Sequence, residues 1–368
     1  MIHDNAETSS SKFCSSGPSS RKAARTKSVS GEFRESFRKA AHTESVSGEF
    51  RESFRKAART ESVSGEFRES AASRRISRAF DEALLLPLDG CSRYVLFSDC
   101  HRGVGNTNDN FLHNEYLFEA ALEYYFRCGF TYVELGDGDE LWENRSLEKI
   151  KEVHARCFRL LSRFYAAGRL YMIYGNHDMV KKNPEYVQKH FHTFLCDRTC
   201  REQPLCPGIR FYPGIILQDS QGNRDIFLTH GHQTDLLNSV LWRISRFLVR
   251  YLWRPLEKLG VHDPTSAAKN NTRKKKSEQL LSDWANRHGC ILISGHTHHP
   301  MIGTPSSCYS NIGSCVHPSG ITAIEIEQRC LTLVKWSVGA REDLSLYAAR
   351  EVLGETCCLD DGDALYQT

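Results

Sequence analysis

Five places in the chain set ligand-type residues directly after a short apolar run. They are Asp99-Cys100-His101, Gly136-Asp137-Gly138-Asp139-Glu140, Gly175-Asn176-His177-Asp178, His230-Gly231-His232 and Gly295-His296-Thr297-His298. The candidate donors Asp99, His101, Asp137, Asn176, His177, His230, His296 and His298 offer carboxylate or amide oxygen and imidazole nitrogen, with no call on thiolate. That chemistry suits borderline metals such as Mn²⁺, Fe and Zn²⁺ better than Ca²⁺ or Mg²⁺ alone. Two metals about 3.5–4 Å apart need a bridging carboxylate, which one strand-end aspartate supplies, and the pair activates water and neutralises phosphoryl charge. Any one of these histidines alone reads as an ordinary polar strand end. Five such ends in one chain do not.

The elements that position these residues follow from periodicity. Apolar runs at 93–98, 130–135, 169–174, 225–229 and 290–294 read as buried strands, each delivering its ligands at a C-terminal edge. Open α/β sheets bind their ligands at that edge. Helical spacing over 111–127 and 146–167 separates the first three strands, an order that predicts a layered α/β domain. Further strands are expected at 211–217, 308–312, 321–326 and 330–338, with a helical insertion at about 234–288 and a frayed end from about 350.

The first 83 residues read differently, as a disordered basic tail poor in apolar residues. Residues 1–80 carry 16 Lys/Arg against 10 Asp/Glu, so the chain's net charge of +3 comes from the tail, and residues 81–368 sum to −3. The folded part therefore lacks a global nucleic-acid footprint, and no stable nucleic-acid partner is expected. Within the tail, Ser28-Val29-Ser30-Gly31-Glu32-Phe33-Arg34-Glu35-Ser36 recurs at 45–53 and 62–70, a period of 17. Arg25–Ser28 and Arg74–Ser77 have the Arg-x-x-Ser form of phosphorylation sites. A multivalent docking tail and a duplicated segment without chemistry are both consistent with this pattern.

The domain limits expected are 1–83 for the tail, 84–345 for the catalytic domain and 346–368 for a C-terminal tail. The 14 cysteines include no zinc-type Cys-x-x-Cys pair and read as reduced thiols. The polar opening and the absence of an 18-residue apolar run give the expectation of a cytoplasmic protein with no signal peptide and no membrane span.

Taken in this order, Asp-x-His, Gly-Asp-x-x-Glu, Gly-Asn-His-Asp, His-Gly-His and Gly-His-Thr-His resemble the five motifs of calcineurin-like metallophosphoesterases, over roughly residues 90–338. The resemblance implies a four-layer α/β/β/α sandwich and two divalent metal ions, Mn²⁺ foremost with Fe or Zn²⁺ as alternatives. It assigns Asp99, His101 and His298 to one metal, Asn176, His230 and His296 to the other, and Asp137 to the bridge. His177 becomes the catalytic histidine, oriented by Asp178, and His232 takes a supporting position.

The implied reaction is attack of a metal-bridging hydroxide on a phosphodiester, pyrophosphate or phosphomonoester. A phosphomonoesterase acting on phosphoproteins and a metal-binding scaffold without turnover are the alternatives. The Leu141-Trp142 that follows the second motif and the insertion are similar to the UDP-2,3-diacylglucosamine pyrophosphatase branch. His177, where that branch has Arg, and His230-Gly231-His232, where it has His-Gly-Asp, depart from it.

The insertion carries a stripe of Leu237, Leu241, Ile244, Leu248 and Leu252 beside Arg243, Arg246, Arg250 and Arg254, with Trp242 and Trp253 nearby. One reading is a cap that admits a lipid-linked substrate and makes peripheral contact with an anionic membrane. The other is a hairpin that buries its apolar face on the domain and leaves its arginines in water. Arg273-Lys274-Lys275-Lys276 reads as a solvated helix start or a phosphate contact.

Overall fold

The computed structural model describes residues 69–253, 271–303 and 308–361. The tail repeats up to residue 68, Arg25–Ser28 and Arg254 lie outside the described residues, as do the side chains of Leu237, Leu252 and Trp253.

The described chain opens with helix α1 (Ala71–Asp81), capped by Ser70, whose hydroxyl accepts the Ser73 N–H. α1 is short and basic, but Ile76 and Ala79 are buried. They pack with Phe227, Leu281, Trp284 and Leu292, so the fold starts before the boundary expected at residue 84. Strands β1 (Leu84–Leu88) and β2 (Arg93–Phe97) follow, then helix α2 (Glu115–Arg127) and β3 (Thr131–Leu135). The helical run expected at 146–167 is two helices, α3 (Leu147–Val153) and α4 (Ala155–Ala166). They break at His154, whose ring is held by Glu115 and Asp109.

Next come β4 (Leu170–Ile173), α5 (Pro184–His190) and the hairpin β5 (Thr193–Cys196) with β6 (Arg201–Pro204). The strand expected at 211–217 is also two, β7 (Phe211–Tyr212) and β8 (Ile215–Asp219), which belong to different sheets. The chain crosses between them at Pro213-Gly214, where a Cβ on Gly214 would stand 2.6 Å from the Phe227 ring. Strand β9 (Ile226–Leu228) precedes the insertion, which supplies α6 (Leu236–Ser239), α7 (Trp242–Leu248), a π turn at Val249–Trp253 and α8 (Asn271–His288). The rest is strand: β10 (Ile291–Ser294), β11 (Tyr309–Asn311), β12 (Ile321–Glu327), β13 (Cys330–Ala340), β14 (Leu346–Val352) and β15 (Cys357–Cys358).

Two large sheets result. The smaller has the order β1-β8-β9-β10-β11, and the larger runs β14-β13-β12-β2-β3-β4-β7 with β15 on β13. β2, β3, β4 and β7 are mutually parallel, as are β9, β10 and β11. The period-two alternation of the strands builds the layers. On β2, Leu96 points into a core shared with Ile226, Leu228 and Ile293 of the other sheet, while Val95 and Phe97 point to α2 and α4. On β9, Phe227 points the opposite way from Ile226 and Leu228, toward α1 and α8. The architecture is thus the expected α/β/β/α sandwich. β14 lengthens the larger sheet beyond the limit expected at 345, and Cys330 is disulfide-bonded to Cys358, which corrects the all-thiol reading. Among the described residues no helix is long and apolar enough to cross a membrane.

Candidate metal centre

The C-terminal ends of β2, β3, β4, β9 and β10 converge, and each brings its motif. The turns there are tight. Asp99, His101, Asp137, His296 and His298 all have left-handed backbone, with φ between 49° and 68°. Each such non-glycine residue costs on the order of 1–3 kcal/mol, a strain that persists only where the surroundings over-determine it. Glycines make room beside them. A Cβ on Gly175 would lie 2.1 Å from Asp137 Oδ1, and one on Gly295 would lie 2.4 Å from Asp99 Oδ2.

Three donor groups form, each with its atoms mutually within 4.8 Å: Asp99, His101 and His298; His101, Asp137 and His177; and Asp137, His230 and His296. Asp137 belongs to two of them. His298 Nε2 is 3.1 Å from Asp99 Oδ1, and His230 Nε2 is 3.1 Å from both Asp137 Oδ2 and Asn176 Oδ1. The carboxylates are fixed from behind. Asp99 Oδ2 accepts the Ser98 hydroxyl at 2.6 Å and the His296 N–H at 2.8 Å, and Asp137 Oδ1 accepts the His177 N–H at 2.8 Å. His230 Nδ1–H donates to the Leu135 carbonyl at 2.8 Å, which aims its Nε2 at Asp137 and Asn176.

These residues fit divalent cations. His101 Nε2 and His296 Nε2 are buried without a hydrogen-bond partner, although they sit among carboxylates. Burial, with His230 beside it, pushes His296 down to about 3, so its lone pair is free at neutral pH. Burial also disfavours charge on His101, but Asp99 and Glu140 outweigh it and hold its pKa well above the ordinary value. Electron-rich atoms facing one another in a dry cradle are stable only around positive charge.

His177 lies at the rim, its side chain 24% exposed. Its ring stacks on Trp142, with centroids 4.3 Å apart and planes at 18°. The carboxylate that faces it is Glu140, with Oε2 2.7 Å from His177 Nδ1 and 2.9 Å from His101 Nδ1. Burial works against a charged His177, but Glu140 and Asp137 prevail and raise its pKa. Asp178, which the family resemblance assigns to orienting His177, turns elsewhere. Its oxygens accept the N–H groups of Gly175 at 2.7 Å and Gly138 at 3.2 Å, and the Lys181 ammonium at 2.6 Å. Glu140 stands in the second motif three residues after Asp137, so its position was visible in the sequence even though its partner was not. His232 is buried, its ring 5.5 Å from that of His230, with burial and His230 lowering its pKa well below the usual value.

The insertion reaches this rim through Arg250. Its guanidinium donates to the carbonyls of Leu141 at 2.7 Å, Trp142 at 2.9 Å and Asn144 at 3.0 Å. It thereby ties the π turn to the loop that carries Glu140 and Trp142. The outer side remains apolar and exposed at Leu236, Val240, Ile244, Phe247 and Tyr251. Of the stripe's described side chains, Ile244 and Leu248 are exposed and Leu241 is half-buried, and Arg250 is not a solvated charge. Arg273, Lys275 and Lys276 are exposed in the opening turns of α8.

No curated protein matches the chain. Among solved structures, a mutant cold-active protein tyrosine phosphatase shares 14% identity over 74% of this chain and 82% of its own, with a TM-score of 0.33. Vps29 of Chaetomium thermophilum shares 11% identity over 73% of this chain and 99% of its own, with a TM-score of 0.32. The family model of the calcineurin-like phosphoesterases matches residues 92–300, a span that holds all five ligand-bearing strand ends. The chain belongs to the calcineurin-like phosphoesterase family, a class of metal-dependent phosphoric ester hydrolases.

Proposed function

We propose that the protein hydrolyses a phosphodiester or pyrophosphate bond at a dinuclear centre. In this reading Asp99, His101 and His298 hold one divalent ion, Asn176, His230 and His296 hold the other, and Asp137 lies between. The observation that carries it is the double membership of Asp137, whose carboxylate is shared by donor groups from both sheets. Two bound cations would polarise the phosphoryl group and lower the pKa of water at neutral pH.

The remaining steps belong to the chain. Asp99 and Asp137, locked by backbone N–H groups, keep the donors in place without reorganisation. His177, held between Glu140 and Trp142 and open to solvent on one side, is placed to hand a proton to the departing oxygen. Glu140 holds that imidazole and His101 together, so it positions the acid relative to the metal ligands.

The substrate class we favour is nucleotide- or lipid-linked, as in the UDP-2,3-diacylglucosamine pyrophosphatase branch, with peripheral contact at an anionic membrane. Support comes from the cap, where exposed Ile244 and Phe247 on α7 adjoin the π turn of Tyr251 and Arg250, and Arg250 ties that turn to the loop of Glu140 and Trp142 beside His177. A substrate with an apolar arm beside its phosphoryl group matches that arrangement. His177 and the His-Gly-His motif separate this chain from that branch's usual form.

The test is metal analysis paired with Mn²⁺-dependent hydrolysis of bis-p-nitrophenyl phosphate and p-nitrophenyl phosphate. Two metals per chain and diester turnover that is lost in Asp137→Ala and His177→Ala are expected. Turnover of the monoester alone would replace this reading with a phosphomonoesterase. Fewer than one metal in folded, loaded protein would reject the ligand set.

A further inference from the structure

A second group of donors lies outside the centre, between α2 and α4. Glu115 and Glu119 stand four residues apart on α2, so their side chains leave one face of the helix. Cys157 meets them from α4. One oxygen of each carboxylate and the Cys157 sulfur lie within 4.8 Å of one another. The group is enclosed, with Cys157 0% and Glu119 7% exposed.

One of its atoms lacks what a closed structure normally supplies. Glu119 Oε2 pairs with Arg156 at 3.0 Å, but Oε1 is buried with no hydrogen-bond partner. The Cys157 thiol donates a long, weak hydrogen bond, 3.8 Å, to Glu115 Oε1. A buried carboxylate oxygen left in this state is costly unless something positive faces it. The nearby cations do not provide it. His154 spends both ring nitrogens on Glu115 Oε1 at 2.9 Å and Asp109 Oδ2 at 3.0 Å, and Arg156 lies on the other Glu119 oxygen. Three carboxylates, Asp109, Glu115 and Glu119, thus share His154 and Arg156, and Arg159, the next cation, pairs with Asp197 at 3.0 Å.

We propose that Glu115, Glu119 and Cys157 bind a thiophilic divalent cation of the zinc class, at a site separate from the catalytic centre. Sulfur combined with carboxylate oxygen suits Zn²⁺ and excludes the hard cations Mg²⁺ and Ca²⁺ as preferred occupants. Binding converts the Cys157 thiol to thiolate, with its proton released to solvent. The ion would clamp α2 to α4. It would also reach the first motif, because His154 links Glu115 to Asp109, and Asp109 accepts the Gly105 N–H at 2.8 Å in the loop that follows His101.

The two sites can be told apart by their chemistry, since the catalytic donors include no sulfur. The full chain, stripped with chelator and titrated with Co²⁺, should develop a thiolate-to-cobalt charge-transfer absorption. That band should persist in His296→Ala, disappear in Cys157→Ser together with one cobalt per chain, and be displaced by Zn²⁺. Glu119→Gln should weaken the affinity read from the band by at least about tenfold. A folded, cobalt-loaded wild type without the band overturns the proposal, as does a band that survives in Cys157→Ser. If Cys157→Ser fails to fold by circular dichroism, Glu119→Gln decides, and an unchanged affinity there overturns it.

Discussion

The two sheets meet at one centre, yet their loops are supported from behind in opposite ways. Under the β2, β3 and β4 ends runs a chain of alternating charge. Arg102 donates to Glu134 at 2.9 Å and to Asp139 at 2.7 Å, Lys181 lies 2.7 Å from Asp139, and the same ammonium meets Asp178 at 2.6 Å. All five side chains are buried. Under the β9 and β10 ends the groups are mostly neutral. The Gln233 amide donates to Thr229 at 3.0 Å, Thr229 donates to the Pro213 carbonyl at 3.1 Å, and Asn311 donates to the Gly295 carbonyl at 2.7 Å. Behind these ends, among the described residues, the flanking helices add charge through Arg75, which donates to the Gln233 carbonyl, and Glu278, which accepts the Thr297 hydroxyl. The charged side backs Asp137 and His177, so it is rigid but intolerant of losing a member. The neutral side backs His230 and His296 and should be tolerant and insensitive to pH.

The largest contrast is expected from Arg102→Met. It leaves Glu134 and Asp139 buried without their shared cation, and loss of one partner of a buried ion pair costs about 3–5 kcal/mol. Urea unfolding at neutral pH measures it. A loss under 1 kcal/mol would show that water or Lys181 takes over and that the two supports do not differ in kind.

Glu140→Gln tests the junction between support and chemistry. The amide keeps the shape but removes the charge that faces His101 and His177. Loss of an outer partner of a metal-binding histidine typically costs about 10–100-fold in affinity or activity. The fall should appear in diester turnover and metal retention while the melting temperature stays within a few degrees. Asp178→Asn, which touches backbone N–H groups and Lys181, should instead act mainly on stability.

The charged side should also set the acid response. Burial alone would raise Asp139, but Arg102 and Lys181 prevail and hold it at about 2. A depressed carboxylate stabilises the fold fully above its unfolded pKa, about 3.9, and that contribution is lost as pH falls through the folded value. Unfolding free energy should therefore drop between roughly pH 4 and 2, and Asp139→Asn should flatten that part of the profile.

How far the sequence carried these inferences depends on what each feature needs. The motifs were legible because an apolar strand ending in Asp, Asn or His is a local pattern, and the parallel sheets bring those ends together. Glu140 was in view in the second motif, but its pairing with His177 is made by the packing of two loops. Helix α1 was hidden because Arg74, Arg75 and Arg78 swamp the two residues, Ile76 and Ala79, that bury it. The β7–β8 split was hidden because Phe211–Leu217 is one apolar run, and only the close approach of Gly214 to Phe227 shows the chain leaving one sheet for the other. β1 contains Pro87, which a central strand would not accept, but β1 stands at a sheet edge where no ladder partner is lost.

The smallest effect should come from Asn311→Ala on the neutral side. Asn311 is fully buried. Its amide nitrogen lies 2.7 Å from the Gly295 carbonyl and 3.1 Å from the Thr297 hydroxyl, and its Oδ1 accepts the Gly313 N–H at 2.9 Å. Truncation strands a buried carbonyl and a buried N–H, for a loss of about 1–3 kcal/mol. Ser294 and Tyr309, whose hydroxyls share the same pocket, can take up part of the bonding, which places the expected value near the low end. Because no member titrates in the acid range, the variant's stability profile should run parallel to wild type from pH 7 to about pH 3. A slope that differs from wild type would mean that a titrating group also supports the β10 loop, and the two halves of the centre would then rest on charge alike.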